Sequence, residues 1–294
     1  MLKVILLLIF MCGKLFLGSG SEADYILIDS RNGLSNRLRL LAAYMVVAEE
    51  IYNTSHIIMV WELNAECVGH FLEIFEPIEN VTFIAPSQEH LFKSRALAHF
   101  GPSYASFPEV LKRFHLDMSP LQWHDIRRDK YRHFIPISYI LHEVFQFVTR
   151  KNICNCVGVH VRHTDLESLF LNKPNHSSDK PFLDFIDAHS SSQCIYLMTD
   201  NPSSQQLFLQ RYGASRLLVY DTVRDKSAHH EAHHRFTSLF HTIVDVLITA
   251  HTREFLGTPG SSLTELVSLM NVTFVARTRF YSSCSTTATA DTLP

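Results

Sequence analysis

The sequence predicts an α/β protein, with two Rossmann-like, doubly wound parallel sheets, one in each half of the chain, and a helix-rich stretch between them. Three observations carry this. The chain has 294 residues, and at about 150 residues per domain that is room for two. Strand-like runs such as His56–Trp61 (HIIMVW) and Cys156–Val161 (CVGVHV) are apolar at almost every position, the pattern of strands covered on both faces. Between such runs lie segments with apolar residues three to four apart, and strands alternating with helices make parallel sheets.

In chain order, residues 1–20 read as a signal peptide or short anchor. Lys3 is a positive start, Val4–Cys12 is an unbroken apolar run, and Gly18, Ser19 and Gly20 suit cleavage. The run is shorter than the ~20 apolar residues needed to span a bilayer, and Lys14 interrupts it. An N-terminal α/β domain is expected over 21–150, opening with a strand at Tyr25–Asp29, a glycine-containing turn, and a helix with Leu38, Leu41, Met45 and Ala48 on one face. His56–Trp61 is the next strand. Cys67–Phe75 reads as helix stopping before Pro77, and 86–150 is helix-rich. A C-terminal α/β domain is expected over 151–294. Its strands are Cys156–Val161, Cys194–Met198, Arg216–Tyr220, Glu254–Gly257 and Val272–Ala276. Its helices are Lys180–His189, Pro202–Tyr212, Ala232–His251 and one starting at Ser261. The halves share no visible sequence repeat.

Composition narrows the function. With 46% hydrophobic and 19% charged residues the chain is globular rather than disordered, collagenous or coiled-coil. Its 26 basic and 29 acidic residues give a net charge of −3, so no bulk field draws it to nucleic acid or an anionic membrane. Any polyanion must be held locally, and membrane contact is expected only through the N-terminal segment. Sequons at Asn53, Asn80, Asn175 and Asn271 fit a secretory route to the lumen of the ER or Golgi, or to secretion. The cysteines beyond Cys12 are odd in number and widely spaced, so they read as structural residues forming at most one or two bridges.

In parallel sheets the ligand sits at the carboxyl ends of the strands, and four strand ends here carry small or charged residues. Gly260-Ser261-Ser262 heads a helix, where a glycine admits close approach and the N-terminus favours an anion; a plain helix cap fits the same residues. Arg162 offers a planar fork that matches phosphate, or a partner for Asp165. Gly33 to Arg37 forms another strand-to-helix turn. Asp200 suits a base or ribose, or the cap of the following helix. Together they suggest a nucleoside diphosphate; a Walker lysine motif and the G-x-G-x-x-G fingerprint are both missing.

These same segments carry a resemblance. Gly158–Leu166 (GVHVRHTDL) resembles the H-x-R-[RH]-x-D motif of the fucosyltransferase superfamily, which groups α1,6-, α1,2- and protein O-fucosyltransferases. Asn32–Leu38 (NGLSNRL) is similar to its G-x-x-N-[QR] turn, Tyr196–Asn201 (YLMTDN) to its T-D segment, and Gly257–Leu266 (GTPGSSLTEL) to its S-S-[FL]-[ST] motif. All four stand in the family's order, loosely covering 25–277. The resemblance implies a GT-B-like fold and a GDP-fucose donor, with no cofactor beyond that co-substrate. It also implies inverting, metal-independent transfer to a glycan or protein hydroxyl. It implies Arg162 as the arginine on the β-phosphate, with Asp165 beside it in the catalytic motif, and His160 just before. Gly260, Ser261, Ser262 and Thr264 would lie on the phosphate side, Asp200 near guanine and ribose, and Gly33, Asn36 and Arg37 in the turn facing the donor. His163 stands where other members carry Arg, which weakens leaving-group stabilisation when the imidazole is neutral. The base for the acceptor is open among Asp29, Glu62 and Asp165. Residues 86–150 match nothing, and acceptor choice is expected there.

Two other readings compete. The histidine and the unassigned base also suit a nucleotide- or carbohydrate-binding relative without catalysis. His230-Glu231-Ala232-His233-His234 fits the H-E-x-x-H zinc-protease signature, with Glu254 as a third ligand. Helical geometry speaks against zinc, because the His230–His234 stripe continues through Ser238, His241 and Asp245. That is the polar side, opposite the apolar stripe of Phe236, Phe240, Ile243 and Leu247.

Overall fold

The computed structural model describes residues 24–101, 105–162, 179–220 and 237–275. The expected targeting segment at 1–20 lies outside them. Strand β1 (Tyr25–Ser30) leads through Gly33 into helix α1 (Leu34–Tyr52), followed by β2 (His56–Trp61) and β3 (Val81–Ile84). Helix α2 (Glu89–Lys93) precedes β4 (Ala98–Phe100), and the middle supplies α3 (Phe107–Arg113), α4 (Pro120–Tyr131) and α5 (Ser138–Lys151). The second half runs β5 (Val157–Val161), α6 (Lys180–Asp187), β6 (Ile195–Thr199), α7 (Pro202–Tyr212) and β7 (Leu217–Leu218). Helix α8 (Leu239–Ala250), β8 (Glu254–Gly257) and α9 (Ser262–Met270) complete it.

Both sheets are parallel and four-stranded, and they share one winding: β3-β2-β1-β4 in the first and β7-β6-β5-β8 in the second. The chain therefore repeats in topology what it does not repeat in sequence. In each sheet the winding reverses beside the first strand, between β1 and β4 and again between β5 and β8. The crevice at such a reversal is where open α/β sheets bind ligands.

The local reasons are legible. In α1, Leu38, Leu41, Met45 and Ala48 are all buried, as their spacing predicts, and each fully buried leucine contributes about 2 kcal/mol. Helix α4 begins with Pro120 behind a Ser119 cap, whose hydroxyl accepts from Gln122 N–H at 3.3 Å. The largest apolar core is continuous across the two halves. It joins Ile26, Leu38 and Trp61 to Val144, Tyr196, Leu247 and Leu266. A Cys156–Cys194 disulfide ties the residues just ahead of β5 and β6, and Cys67 is buried. Among the described residues no helix is long and apolar enough to cross a membrane.

Several expectations are corrected. Cys67–Phe75 is not a helix beyond a single turn at Phe71–Glu73. The Gly69 carbonyl accepts from the Trp61 indole at 2.9 Å, and the end of the segment bonds instead to residues 135–137. Within the helix expected at Ala232–His251, residues 232–236 lie outside the described ones, and the described helix runs from Leu239, where the Ser238 hydroxyl caps it by accepting from His241 N–H. The strand expected at Val272–Ala276 is not formed over its described part: Asn271–Val275 continue α9 as a π-helical turn. Asn271 donates to the Ala250 carbonyl and Thr273 to that of Leu269, holding β-branched residues in a helical path. Strands β3 and β4 escape the sequence pattern because they are short edges, only partly buried.

Candidate functional site

The end of β5 and the start of α9 form one hydrogen-bonded unit. Parallel pairing sets His160 beside Gly257. A side chain at 257 would collide with Thr264, its Cβ falling 2.2 Å from the threonine methyl, so glycine lets α9 close on the strand. Thr258 then locks the backbone of β5, its hydroxyl donating to His160 O at 2.9 Å and accepting from Arg162 N–H at 3.0 Å. Past it, Gly260 turns the chain at φ +74°, a region that favours glycine. This turn delivers Ser261, the N-cap of α9, to within 3.5 Å of Arg162 Nη1.

His160 is 3% exposed, and its tautomer follows from its partners. Thr264 has one hydroxyl proton and donates it to the Thr258 carbonyl at 3.0 Å. The 2.8 Å contact between His160 Nδ1 and Thr264 Oγ1 must then run from an Nδ1–H. That leaves Nε2 as an acceptor on a side chain that lines the cleft. Burial first, and the Arg162 charge second, push the imidazole pKa down to about 3. His160 is therefore neutral at physiological pH, an acceptor beside a permanent cation.

The cleft at these strand ends draws on both halves. Ser262 and Leu263 bring the first turn of α9, whose N–H groups have no intrahelical acceptor. Gly33 to Asn36 bring the first turn of α1 from across the cleft, next to Glu66, whose carboxylate accepts the Gly33 N–H at 2.9 Å. Met198, Asp200 and Asp245 also line the cleft. Asn201, not Asp200, caps α7, accepting from Ser203 and Ser204 N–H at 2.8 and 3.1 Å. Asp200 lines the cleft instead.

Several expected residues take other places. Arg37 is fully buried and cannot touch a ligand. It donates to the carbonyls of Asn32 and Glu62 and lies 4.8 Å over the Trp61 ring, stapling the β1 turn to the end of β2. Thr264 acts on His160 rather than lining the cleft. Asp29 pairs with Arg31 at 3.0 Å, and Glu62 faces the same guanidinium at 3.4 Å; neither lines the cleft. Asp245 is not on a polar, outer side. It is 8% exposed, lines the cleft and accepts from the Tyr196 hydroxyl, whose pKa burial and that carboxylate raise well above its ordinary value. His163, Asp165 and the His230-Glu231-x-x-His234 motif lie outside the described residues. Glu254 pairs with His189 at 3.2 Å, at the opposite end of β8 from the cleft. Among the described residues no group of three or more His, Cys, Asp or Glu could hold a metal ion.

Sequence reasoning missed Thr258 and Glu66 and left the place of Asp245 open. The signal for Thr258 was present, a β-branched hydroxyl directly after a strand, while the other two are joined to the cleft only by the fold.

No family model matches the chain, and no curated protein matches it in sequence. The fold is similar to that of solved fucosyltransferases. The NodZ α-1,6-fucosyltransferase, known from Bradyrhizobium and co-crystallised with GDP, superposes with a TM-score of 0.54 at 15% identity, covering 84% of this chain and 92% of that one. Arabidopsis thaliana FUT1 in complex with GDP gives 0.53 at 10% identity, covering 92% and 73%. POFUT1 in complex with GDP gives 0.50 at 9% identity, covering 85% and 95%.

Proposed function

We propose that the protein is a glycosyltransferase that moves fucose, or a close sugar, from a GDP-sugar to a hydroxyl of a glycan or protein, with inversion and without a metal ion. The observation that carries this is the meeting of Arg162 with the N-terminus of α9 at the winding reversal of the second sheet. Breaking a sugar–diphosphate bond builds negative charge on the leaving phosphate. A guanidinium fork and a helix N-terminus are fixed donors for that charge, and they are worth most where water is excluded. The fold points the same way, since its structural neighbours carry GDP in crystals.

Around that clamp each group has a task. Arg162 and the Ser261–Ser262 turn hold the diphosphate. Neutral His160 accepts a hydrogen bond from a donor hydroxyl through Nε2. Guanine presents N1–H and N2–H₂ as adjacent donors, and Asp245 and Asp200 are cleft carboxylates that can accept them. Gly33 and Asn36 face the sugar from the first half. The Cys156–Cys194 disulfide and the sequons support an oxidising, luminal setting.

A thermal-shift panel tests the donor class. At 100 times its dissociation constant a ligand adds about 2.7 kcal/mol of stability. GDP raises the melting temperature and UDP and ADP leave it unchanged. A flat response to GDP refutes the reading, and GDP binding without release of GDP from GDP-fucose makes the protein a binding relative instead.

A further inference from the structure

We propose that Glu66 is the general base that takes the proton from the acceptor hydroxyl. The assignment rests on the donor reading above and adds the residue that reading lacks. Glu66, Asp200 and Asp245 are the carboxylates lining the cleft among the described residues. Inversion requires the attacking oxygen to reach the anomeric carbon from the face opposite the departing phosphate. The base must therefore stand across the cleft from the diphosphate clamp. Asp200 and Asp245 come from the second half, the same half as Arg162 and α9. Glu66 comes from the first.

The loop that carries Glu66 is built to hold it. Asn64 Oδ1 accepts from the N–H groups of Glu66 at 3.0 Å and Cys67 at 2.9 Å, an Asx turn. Asn64 Nδ2 donates to the Arg31 carbonyl at 2.6 Å, and Cys67 is buried under the turn. The Gly33 N–H at 2.9 Å then fixes the carboxylate beside the first turn of α1. A base must be held within hydrogen-bond reach of the proton it removes, and this support does so from a loop.

The step balances without another reactant. The acceptor oxygen bonds to the anomeric carbon, and the bond from that carbon to the β-phosphate oxygen breaks with its electron pair on GDP. The hydroxyl proton passes to the Glu66 carboxylate, while Arg162 and α9 meet the new phosphate charge.

Water stands in for the acceptor in the test, which follows GDP release from GDP-fucose by the full chain. Glu66→Gln keeps an oxygen for the Gly33 N–H, so it folds and binds GDP as the wild type does. Its rate of GDP release falls about 10²- to 10⁴-fold, the span of general-base catalysis. Azide has no proton to lose, so added sodium azide restores release in Glu66→Ala far more than in the wild type and yields the inverted fucosyl azide. Wild-type turnover in Glu66→Gln, or no azide rescue of Glu66→Ala, overturns the assignment. A wild-type chain that fails to bind GDP overturns the donor reading beneath it, a result distinct from either.

Discussion

Arg162 Nη1 lies 3.5 Å from Ser261 Oγ, although 99 residues separate the two in the chain. Two strand ends and one helix start create this proximity. Parallel pairing sets β5 beside β8, Thr258 ties the two backbones, and Gly260 turns α9 back toward the arginine. The guanidinium and the helix N-terminus can thus act on one diphosphate.

Replacing Arg162 should therefore cost catalysis rather than stability. Losing one fixed donor to developing charge costs about 10²–10³ in rate. Arg162→Ala is expected to lose at least that much in GDP release from GDP-fucose, with an unchanged melting temperature in the absence of ligand. Arg162→Lys keeps the charge but loses the planar fork, and it should stay well below the wild type. Wild-type turnover in either variant would remove Arg162 from the mechanism.

What the sequence revealed of this site depended on strand ends. A buried β-branched run followed by a charged or small residue marks the carboxyl edge of a parallel sheet, so Arg162, Asp200, Ser262 and Gly33 could be gathered before any coordinates. Arg37 misled because the glycine turn fixes where α1 begins but not which face each residue takes. Asn36 faces the cleft, and one residue on, about 100° around the helix, Arg37 points into the core. Asp245 misled for another reason. Residues 243 to 250 of α8 are buried on every side, so the rule that an amphipathic helix has one dry stripe does not apply. Glu66 reaches the cleft by a side-chain turn, which no periodicity announces.

The neutrality of His160 gives a signature in acid stability. Its folded pKa is about 3, below the roughly 6.5 of an unfolded histidine. Between those values the unfolded chain binds a proton that the native state refuses, so stability is fully present above about pH 6.5 and declines as pH falls toward 3. The slope from this group is about 1.4 kcal/mol per pH unit. His160→Asn keeps a donor for Thr264 and removes the titration, so its unfolding free energy should fall less steeply than the wild type's between pH 6 and pH 4. Parallel urea-denaturation curves for the two proteins over that window would show His160 to be protonated in the native state.

One carboxylate of α9 is shared between two helices of the first half. Glu265 of α9 pairs with Arg39 of α1 at 2.5 Å and also with Arg127 of α4. Both guanidiniums are largely buried, with burial lowering their pKa values. Without the carboxylate, two desolvated cations face each other. Glu265→Gln should destabilise the protein by about 3 kcal/mol, the low end for breaking a buried pair. GDP affinity should fall with it, because the same helix carries Ser261 and Ser262. Calorimetric unfolding and GDP titration of this variant check the two effects, and an unchanged melting temperature would show the triad to be an ornament of the surface.

The sequons separate by structure. Asn53 and Asn80 are exposed, each in a left-handed turn at φ 49° and 61°, just ahead of β2 and β3. They sit at the amino ends of these strands, away from a cleft formed at the carboxyl ends, so glycans there leave the donor site open. The two are neighbours, with Asn80 Nδ2 donating to Ser55 Oγ, the hydroxyl of the Asn53 sequon, at 3.2 Å. Asn271 differs in that both groups of its sequon bond to helix backbone. Its amide donates to the Ala250 carbonyl at 2.6 Å, and Thr273 is buried with its hydroxyl on the Leu269 carbonyl. Recognition of this sequon would require the end of α9 to unwind, because the Thr273 hydroxyl is buried in the helix. After expression through a eukaryotic secretory pathway, peptide mass mapping with and without N-glycosidase should find glycans on Asn53 and Asn80 and bare Asn271. Asn271→Gln should leave gel mobility unchanged, while Asn53→Gln and Asn80→Gln should each increase it. An occupied Asn271 in folded, GDP-binding protein would mean that the π-helical turn does not persist in the mature chain.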